Sequence, residues 1–189
     1  MKYPVTLKIE YPVKSNKSTA FFRIVLIVPI IIISSLITSY AEALILAVAL
    51  MILFREKYPK WWFDWNISIT KFGYKIIAYG LLMRNEYPST DDEQAVKVNI
   101  PYPNVKTDLN RWMPLVKWIL IIPHIIVLTF IFIAVVICSV FAWFTILFTG
   151  RYPKEVFNFV EGFLRWSLRV NAYAFLLTTD EYPPFSLKE

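Results

Sequence analysis

His124 is the only histidine in the chain and Cys138 the only cysteine, so the side chains best suited to proton transfer, nucleophilic attack and metal ligation each occur once. A metal site needs several ligands, and no carboxylate or cysteine stands near His124, which follows Pro123 at one end of an apolar run. A packed or interfacial imidazole accounts for it. Cys138 lies inside the same run and reads as a small buried hydrophobe. Alone it can form neither an intrachain disulfide nor a thiolate metal site. Glu42 is the only charged residue in either of two long apolar runs, 24–54 and 118–148. An ionisable group at membrane depth is expensive and is a functional candidate by default, unless a turn exposes it to water. His124 and Glu42 are therefore the candidate intramembrane polar residues. Asp91-Asp92-Glu93 and Asp180-Glu181 sit in polar stretches, where solvation explains them. There are four glycines in all, no glycine-rich phosphate loop and no Gly-x-Ser-x-Gly elbow. The expectation is a protein that is not an enzyme, with no metal and no cofactor.

The surrounding chain is strongly apolar. Of 189 residues, 57% are hydrophobic, 17% aromatic and only 18% charged, with a mean hydropathy of +0.51. An ordinary soluble domain is more polar, and abundant aromatics suit membrane–water boundaries. The net charge of +6 implies an anionic partner. At this hydropathy, anionic lipid headgroups and the positive-inside rule explain the lysines and arginines better than nucleic acid does. Residues 1–14 contain no apolar stretch of a cleavable signal, so both runs are expected in the mature protein.

A repeat organises the chain. Ile52-Leu53-Phe54 followed by Lys57-Tyr58-Pro59-Lys60 recurs 94 residues later as Ile146-Leu147-Phe148 followed by Arg151-Tyr152-Pro153-Lys154. The same offset pairs Pro29 with Pro123, Lys71 with Arg165, Phe72 with Trp166 and Lys75 with Arg169. Upstream, Tyr11-Pro12 matches Tyr102-Pro103 at an offset of 91; downstream, Tyr87-Pro88 matches Tyr182-Pro183 at 95. Each unit opens with an alternating, strand-like stretch, Val5-Thr6-Leu7-Lys8-Ile9 or Val96-Lys97-Val98-Asn99-Ile100. An apolar run, a Tyr-Pro, an amphipathic helix and a second Tyr-Pro follow. Tyr-Pro pairs read as element breaks at the membrane surface, because proline ends regular structure and holds its predecessor extended. The expected boundaries are a first unit at 1–89, a solvated linker at 90–95 and a second unit at 96–189.

Each 31-residue run would make a helix about 46 Å long, against a hydrocarbon core of roughly 30 Å. Charge distinguishes one crossing from a hairpin. None of the 20 Lys and Arg residues falls in either run. Single crossings would put ten of them on each side; hairpins would put all 20 on one side, as the positive-inside rule favours. Ser34-Ser35-Leu36-Ile37-Thr38-Ser39-Tyr40-Ala41-Glu42 supplies a polar tip in the first run, whereas the second offers only Leu128-Thr129-Phe130. The expectation is four membrane helices in two hairpins, either crossing or re-entrant, with the termini cytoplasmic.

After Pro59, Trp62, Trp65, Ile69, Phe72, Ile76 and Tyr79 recur at three- and four-residue spacing, the stripe of an amphipathic helix. Val156, Phe159, Phe163, Trp166, Val170 and Tyr173 repeat it. Opposite stand Lys71 and Lys75, or Arg165 and Arg169. Such a helix suits the interfacial plane, or its stripe packs on the protein's own strands and hairpins; one helix can do both. The lipid-interface candidates are Trp62, Trp65, Lys71, Phe72, Lys75, Arg165, Trp166 and Arg169.

The segment Trp143-Phe144-Thr145-Ile146-Leu147-Phe148-Thr149-Gly150-Arg151-Tyr152-Pro153 resembles a bacterial and archaeal membrane family known as domain of unknown function 4389. Ile122-Pro123-His124, Leu164-Arg165-Trp166 and Asp180-Glu181-Tyr182-Pro183-Pro184-Phe185 carry the same resemblance, which is specific over 118–187. The first unit departs from it, with Arg55-Glu56-Lys57 in place of Thr-Gly-Arg. The resemblance implies a membrane location and no established activity or cofactor.

The fold expected is a mainly α membrane protein of two tandem repeats. Each has a short strand, a hydrophobic helical hairpin and an interfacial amphipathic helix, with a small β-sheet at the membrane surface. The function expected is a non-enzymatic scaffold or partner-binding subunit of the cell (inner) membrane. It would contact anionic lipids and either copies of itself or other membrane proteins. The alternative is lipid or small-solute transport along a polar path between the repeats.

Overall fold

The computed structural model describes residues 3–188, apart from the side chains of residues 40–43. In chain order its elements are β1 (Thr6–Ile9), α1 (Lys17–Phe21), α2 (Arg23–Leu26), α3 (Val28–Arg55), α4 (Lys60–Gly80), β2 (Val96–Asn99), α5 (Val105–Asp108), α6 (Met113–Leu120), α7 (Ile122–Thr149) and α8 (Lys154–Ala174). The chain is mainly helical, with one two-stranded sheet among the described residues.

Each apolar run forms one continuous helix of 28 residues, which corrects the expected hairpins. The supposed tip stays helical because its hydroxyls need no turn to find acceptors. Ser35 Oγ donates to the Ile32 carbonyl at 2.8 Å, Thr38 Oγ1 to Ser34 at 2.9 Å and Ser39 Oγ to Ser35 at 2.7 Å. Bonding back to the preceding turn in this way hides a polar group inside a helix. Thr129 does the same in α7, donating to Ile125 at 2.8 Å. Neither glycine nor proline interrupts the stretch, and Pro29 and Pro123 fall in the first turns, where the missing N–H has no partner to lose.

Both long helices end on a left-handed residue, Glu56 at φ 48° and Gly150 at φ 71°. The turn is the same in each unit, but only the second carries the residue that suits it. A non-glycine residue there costs about 1–2 kcal/mol, partly offset on substitution by the greater unfolded-state freedom of glycine. The ion pair from Glu56 to Arg111, at 3.5 Å and about half exposed, contributes little. Glu56→Gly is therefore expected to stabilise the fold by about 0.5–1 kcal/mol. Thermal unfolding in detergent micelles checks this, and a lowered midpoint would contradict it.

The hairpins that do form pair each long helix with the amphipathic helix after it. α4 packs on α3 and α8 on α7. Each return helix brings its C-terminal end beside the start of its partner. A Cβ on Gly80 would stand 2.8 Å from Ile27 Cδ1, and Trp118 Nε1 donates to the Ala174 carbonyl at 2.9 Å.

The strands of the two units pair with each other. β1 and β2 are antiparallel, with Leu7 opposite Val98 and Ile9 opposite Val96. These four side chains point inward and are buried, while Lys8, Lys97 and Asn99 are exposed. Lys8 faces Lys97 across the ladder, an unfavourable like-charge pair, and Lys97 turns to Glu10 at 2.9 Å. The units also exchange parts. β1 of the first unit packs on α8 of the second, and β2 of the second on α4 of the first. Tyr11 Oη donates to the Tyr152 carbonyl and Tyr102 Oη to that of Tyr58, a reciprocal clasp between Tyr-Pro pairs. Burial pushes the Tyr58 hydroxyl, which accepts from Asn66 Nδ2 at 3.4 Å, up to about 12. The molecule is thus a stack of three layers: α3 and α7, then α4 and α8, then the sheet.

Candidate functional site

The largest chemical feature is the outer face of the α3–α7 layer. On α7 and its N-cap, Ile121, His124, Val135, Ala142 and Ile146 are buried, with Leu128, Ile131 and Ser139 half-buried between them. Spacings of three and four make this one stripe, along which the helix touches the rest of the protein from end to end. Opposite it, Ile119, Ile126, Ile133, Ile137, Phe141, Phe144 and Phe148 are all exposed. On α3, Ile30, Val48, Ala49 and Ile52 face inward while Ile31, Ile32, Leu36, Leu46 and Phe54 face out. Soluble proteins do not leave a continuous apolar surface of this extent uncovered. Among the described residues, two segments, Arg23–Arg55 and Met113–Thr149, are long and apolar enough to cross a membrane.

Basic side chains mark both ends of the layer. At one end Lys17 Nζ donates to the Phe148 carbonyl at 2.8 Å and Ser15 N to Gly150 at 2.9 Å. At the other, Arg111 Nη2 donates to the Leu53 carbonyl at 3.1 Å. There a cleft of about 560 Å³ opens between Lys57, Tyr58 and Lys60 on one side and Tyr102, Val105 and Lys106 on the other.

Two buried cations lie beneath the starts of the long helices, at equivalent repeat positions. The Arg23 guanidinium sits 3.7 Å from the centre of the Tyr79 ring. Lys117, 1% exposed, holds its Nζ 4.9 Å from Tyr173, 2.7 Å from Asp180 Oδ1 and 2.7 Å from the Thr179 carbonyl. Asp180 also accepts from the Asn110 backbone, as its counterpart Asn85 accepts from Asn16. Sequence reasoning missed both clusters. The available signal was the alignment of Arg23 with Lys117 and of Tyr79 with Tyr173 in the repeat.

The residues singled out from sequence scatter through the layers. His124 is fully buried; its Nδ1 accepts from Trp166 Nε1 at 3.0 Å and its ring stacks on Phe185 at 3.8 Å. With Nδ1 accepting, the proton of a neutral imidazole lies on Nε2. The Glu42 side chain lies outside the described residues. Among the described residues, no three His, Cys, Asp or Glu side chains come together as a metal site would require.

Of the lipid-interface candidates, Trp65 and Lys71 are exposed and Trp62 half-buried. Phe72 is buried with Ile30 and Ile76, and Lys75 reaches the Ser89 and Asp92 carbonyls, both at 2.8 Å. In the second unit the expectation of a lipid contact is corrected: Arg165, Trp166 and Arg169 are buried. Arg165 Nε donates to the Leu7 carbonyl at 3.2 Å and Nη1 to Leu187 at 3.1 Å. Arg169 Nη2 donates to Lys188 at 2.9 Å. The reason is that β1 and the C-terminal tail cover the polar face of α8, which an isolated helix would have turned to headgroups.

Neither a curated protein nor a solved structure matches the chain. A family defined by sequence does, over residues 17–90 and again over 111–186. Those two stretches take in both long helices, both return helices and the buried cation of each unit. The chain therefore belongs to the family described as Domain of unknown function (DUF4389), of which it holds two copies.

Proposed function

We propose that this protein is a non-enzymatic scaffold of the cell membrane. Its α3–α7 layer enters lipid, and its charged sheet presents a docking face to aqueous partners. One observation carries the reading: the unbroken row of exposed apolar side chains along α7, opposite the stripe that packs on the protein. Burying apolar surface is worth roughly 25 cal/mol per Å², so a bilayer is the natural cover for such a row. Basic residues at both ends suit anionic headgroups, each adding about 1 kcal/mol near the surface. The same charge bias favours the cytoplasmic side of the inner membrane.

Fractionation of cells expressing the chain tests membrane residence. The protein is expected in the membrane pellet after washes with high salt and with alkaline carbonate. Release by carbonate would overturn the reading. Glu42→Gln tests the scaffold against transport. Unchanged lipid binding and solute flux are expected, and their loss at normal expression would replace the scaffold with a carrier.

A further inference from the structure

We infer that the protein lies flat in a single leaflet, with α3 and α7 parallel to the membrane plane and neither crossing it. The inference rests on the membrane reading above and concerns how that membrane is met. The occupant of the exposed apolar face is one leaflet bearing anionic headgroups.

The three layers run lengthwise together. The N-terminal segment follows α8 from end to end. Tyr3 Oη donates to the Glu181 carbonyl at 3.1 Å, Arg165 Nε to Leu7 at 3.2 Å and Ile9 N to Glu161 Oε1 at 2.8 Å, and Tyr11 reaches Tyr152. α8 in turn follows α6 and α7, from Trp118 of α6 against Ala174, through Trp166 against His124 of α7, to the turn at Gly150. In the first unit α4 likewise packs on α3 and β2 on α4. A crossing by α7 would therefore carry α8 and the sheet across the hydrocarbon with it.

The sheet cannot go there. It has only two strands, so each has an unpaired edge, and open edges are not tolerated in lipid. Its outer face carries Lys8, Lys97 and Glu10, all exposed. Charged side chains facing hydrocarbon are strongly disfavoured.

Length and charge point the same way. Each 28-residue helix is about 42 Å long, well beyond a core of roughly 30 Å. Laid flat, a helix about 10 Å across fits within one leaflet of about 15 Å. Crossing would place Lys17 and Arg151 on one side of the bilayer and Arg55 and Arg111 on the other. The flat placement puts all four at one headgroup layer.

Depth measurements on the full chain decide the matter. In a Cys138→Ser background, single cysteines replace Ile119, Ile126, Ile133, Ile137, Phe144 and Phe148. All six sites are exposed, so labels there displace no packed side chain. Each variant is spin-labelled and reconstituted in phosphatidylcholine–phosphatidylglycerol vesicles, and depth is read from relative accessibility to oxygen and to a nickel chelate. The expected result is a level profile, every label about 5–10 Å below the headgroups. A profile that deepens to about 15 Å at Ile133 and Ile137 and returns to the surface at Ile119 and Phe148 would overturn the flat placement and leave membrane residence intact. Water-like accessibility at all six would overturn both.

Discussion

Asp180→Ala is expected to cost the fold about 3–5 kcal/mol, the penalty for leaving a buried charge without its partner. Lys117 is 1% exposed and, among the described residues, Asp180 is its only acidic contact. Without that carboxylate, the ammonium keeps the Thr179 carbonyl and the Tyr173 ring, both poorer than water. The Asn110 N–H loses its acceptor as well. In a chain of this size about 3 kcal/mol corresponds to a midpoint lowered by about 6–12 °C. Lys117→Met combined with Asp180→Ala is expected to recover most of the loss, because an apolar side chain in that place has no charge to compensate. Thermal unfolding of the three variants in detergent micelles checks both statements. An unchanged midpoint for Asp180→Ala, or no recovery in the double variant, would show that the pair does not hold the tail to α6 as described.

Ile126→Glu with Ile137→Glu is expected to abolish membrane binding while leaving the fold in place. Both side chains project from the outer stripe of α7, 53% and 64% exposed, so neither has a packed neighbour to lose. A charged side chain costs roughly 2.5–3.5 kcal/mol at the bilayer centre on insertion scales, and less at the shallower depth of a helix lying in one leaflet. Two together cost at most about 5–7 kcal/mol, an upper bound of roughly four thousandfold to a hundred-thousandfold in partition. Val135→Glu is the contrast, since Val135 has no exposed surface. A buried, unpaired carboxylate there should break the packing of α7 on α8 and cost stability instead. Flotation of the purified variants with anionic vesicles separates the effects. Retention of the double variant in the lipid fraction would mean that this stripe does not face lipid.

Much of the architecture is legible in the residues. The 94-residue offset announced two units, and period-two alternation located both strands. The stripes after Pro59 and Pro153 gave α4 and α8, which the structure places at Lys60–Gly80 and Lys154–Ala174. Those signals are local: they depend on spacing along one segment and on proline's own geometry. The hairpin expectation rested mainly on the distribution of Lys and Arg, which says which segments are charged but not where a helix bends. It also took Ser35, Thr38 and Ser39 for a tip by polarity alone. Inside a helix their hydroxyls are satisfied by the preceding turn, so polarity does not mark a bend there. The same limit applied to Arg165 and Arg169. Their helical face is polar in sequence, yet the carbonyls of Leu7 and Leu187 give their guanidiniums acceptors inside the protein.

By itself, the sequence determined that the chain is duplicated, apolar enough to meet a membrane, and built of long apolar runs each followed by an amphipathic helix. These properties follow from composition and periodicity, which burial and hydrogen bonding constrain within a few residues of each position. Only the tertiary structure decided that β1 crosses to α8 and β2 to α4, and that Lys117 meets Asp180 across 63 residues of chain. It also decided that the N-terminal segment runs along α8, from Tyr3 beside Arg169 to Tyr11 at Tyr152. Contacts between segments so far apart depend on how two complete units close around each other, and no spacing along the chain encodes which partner a buried face will find.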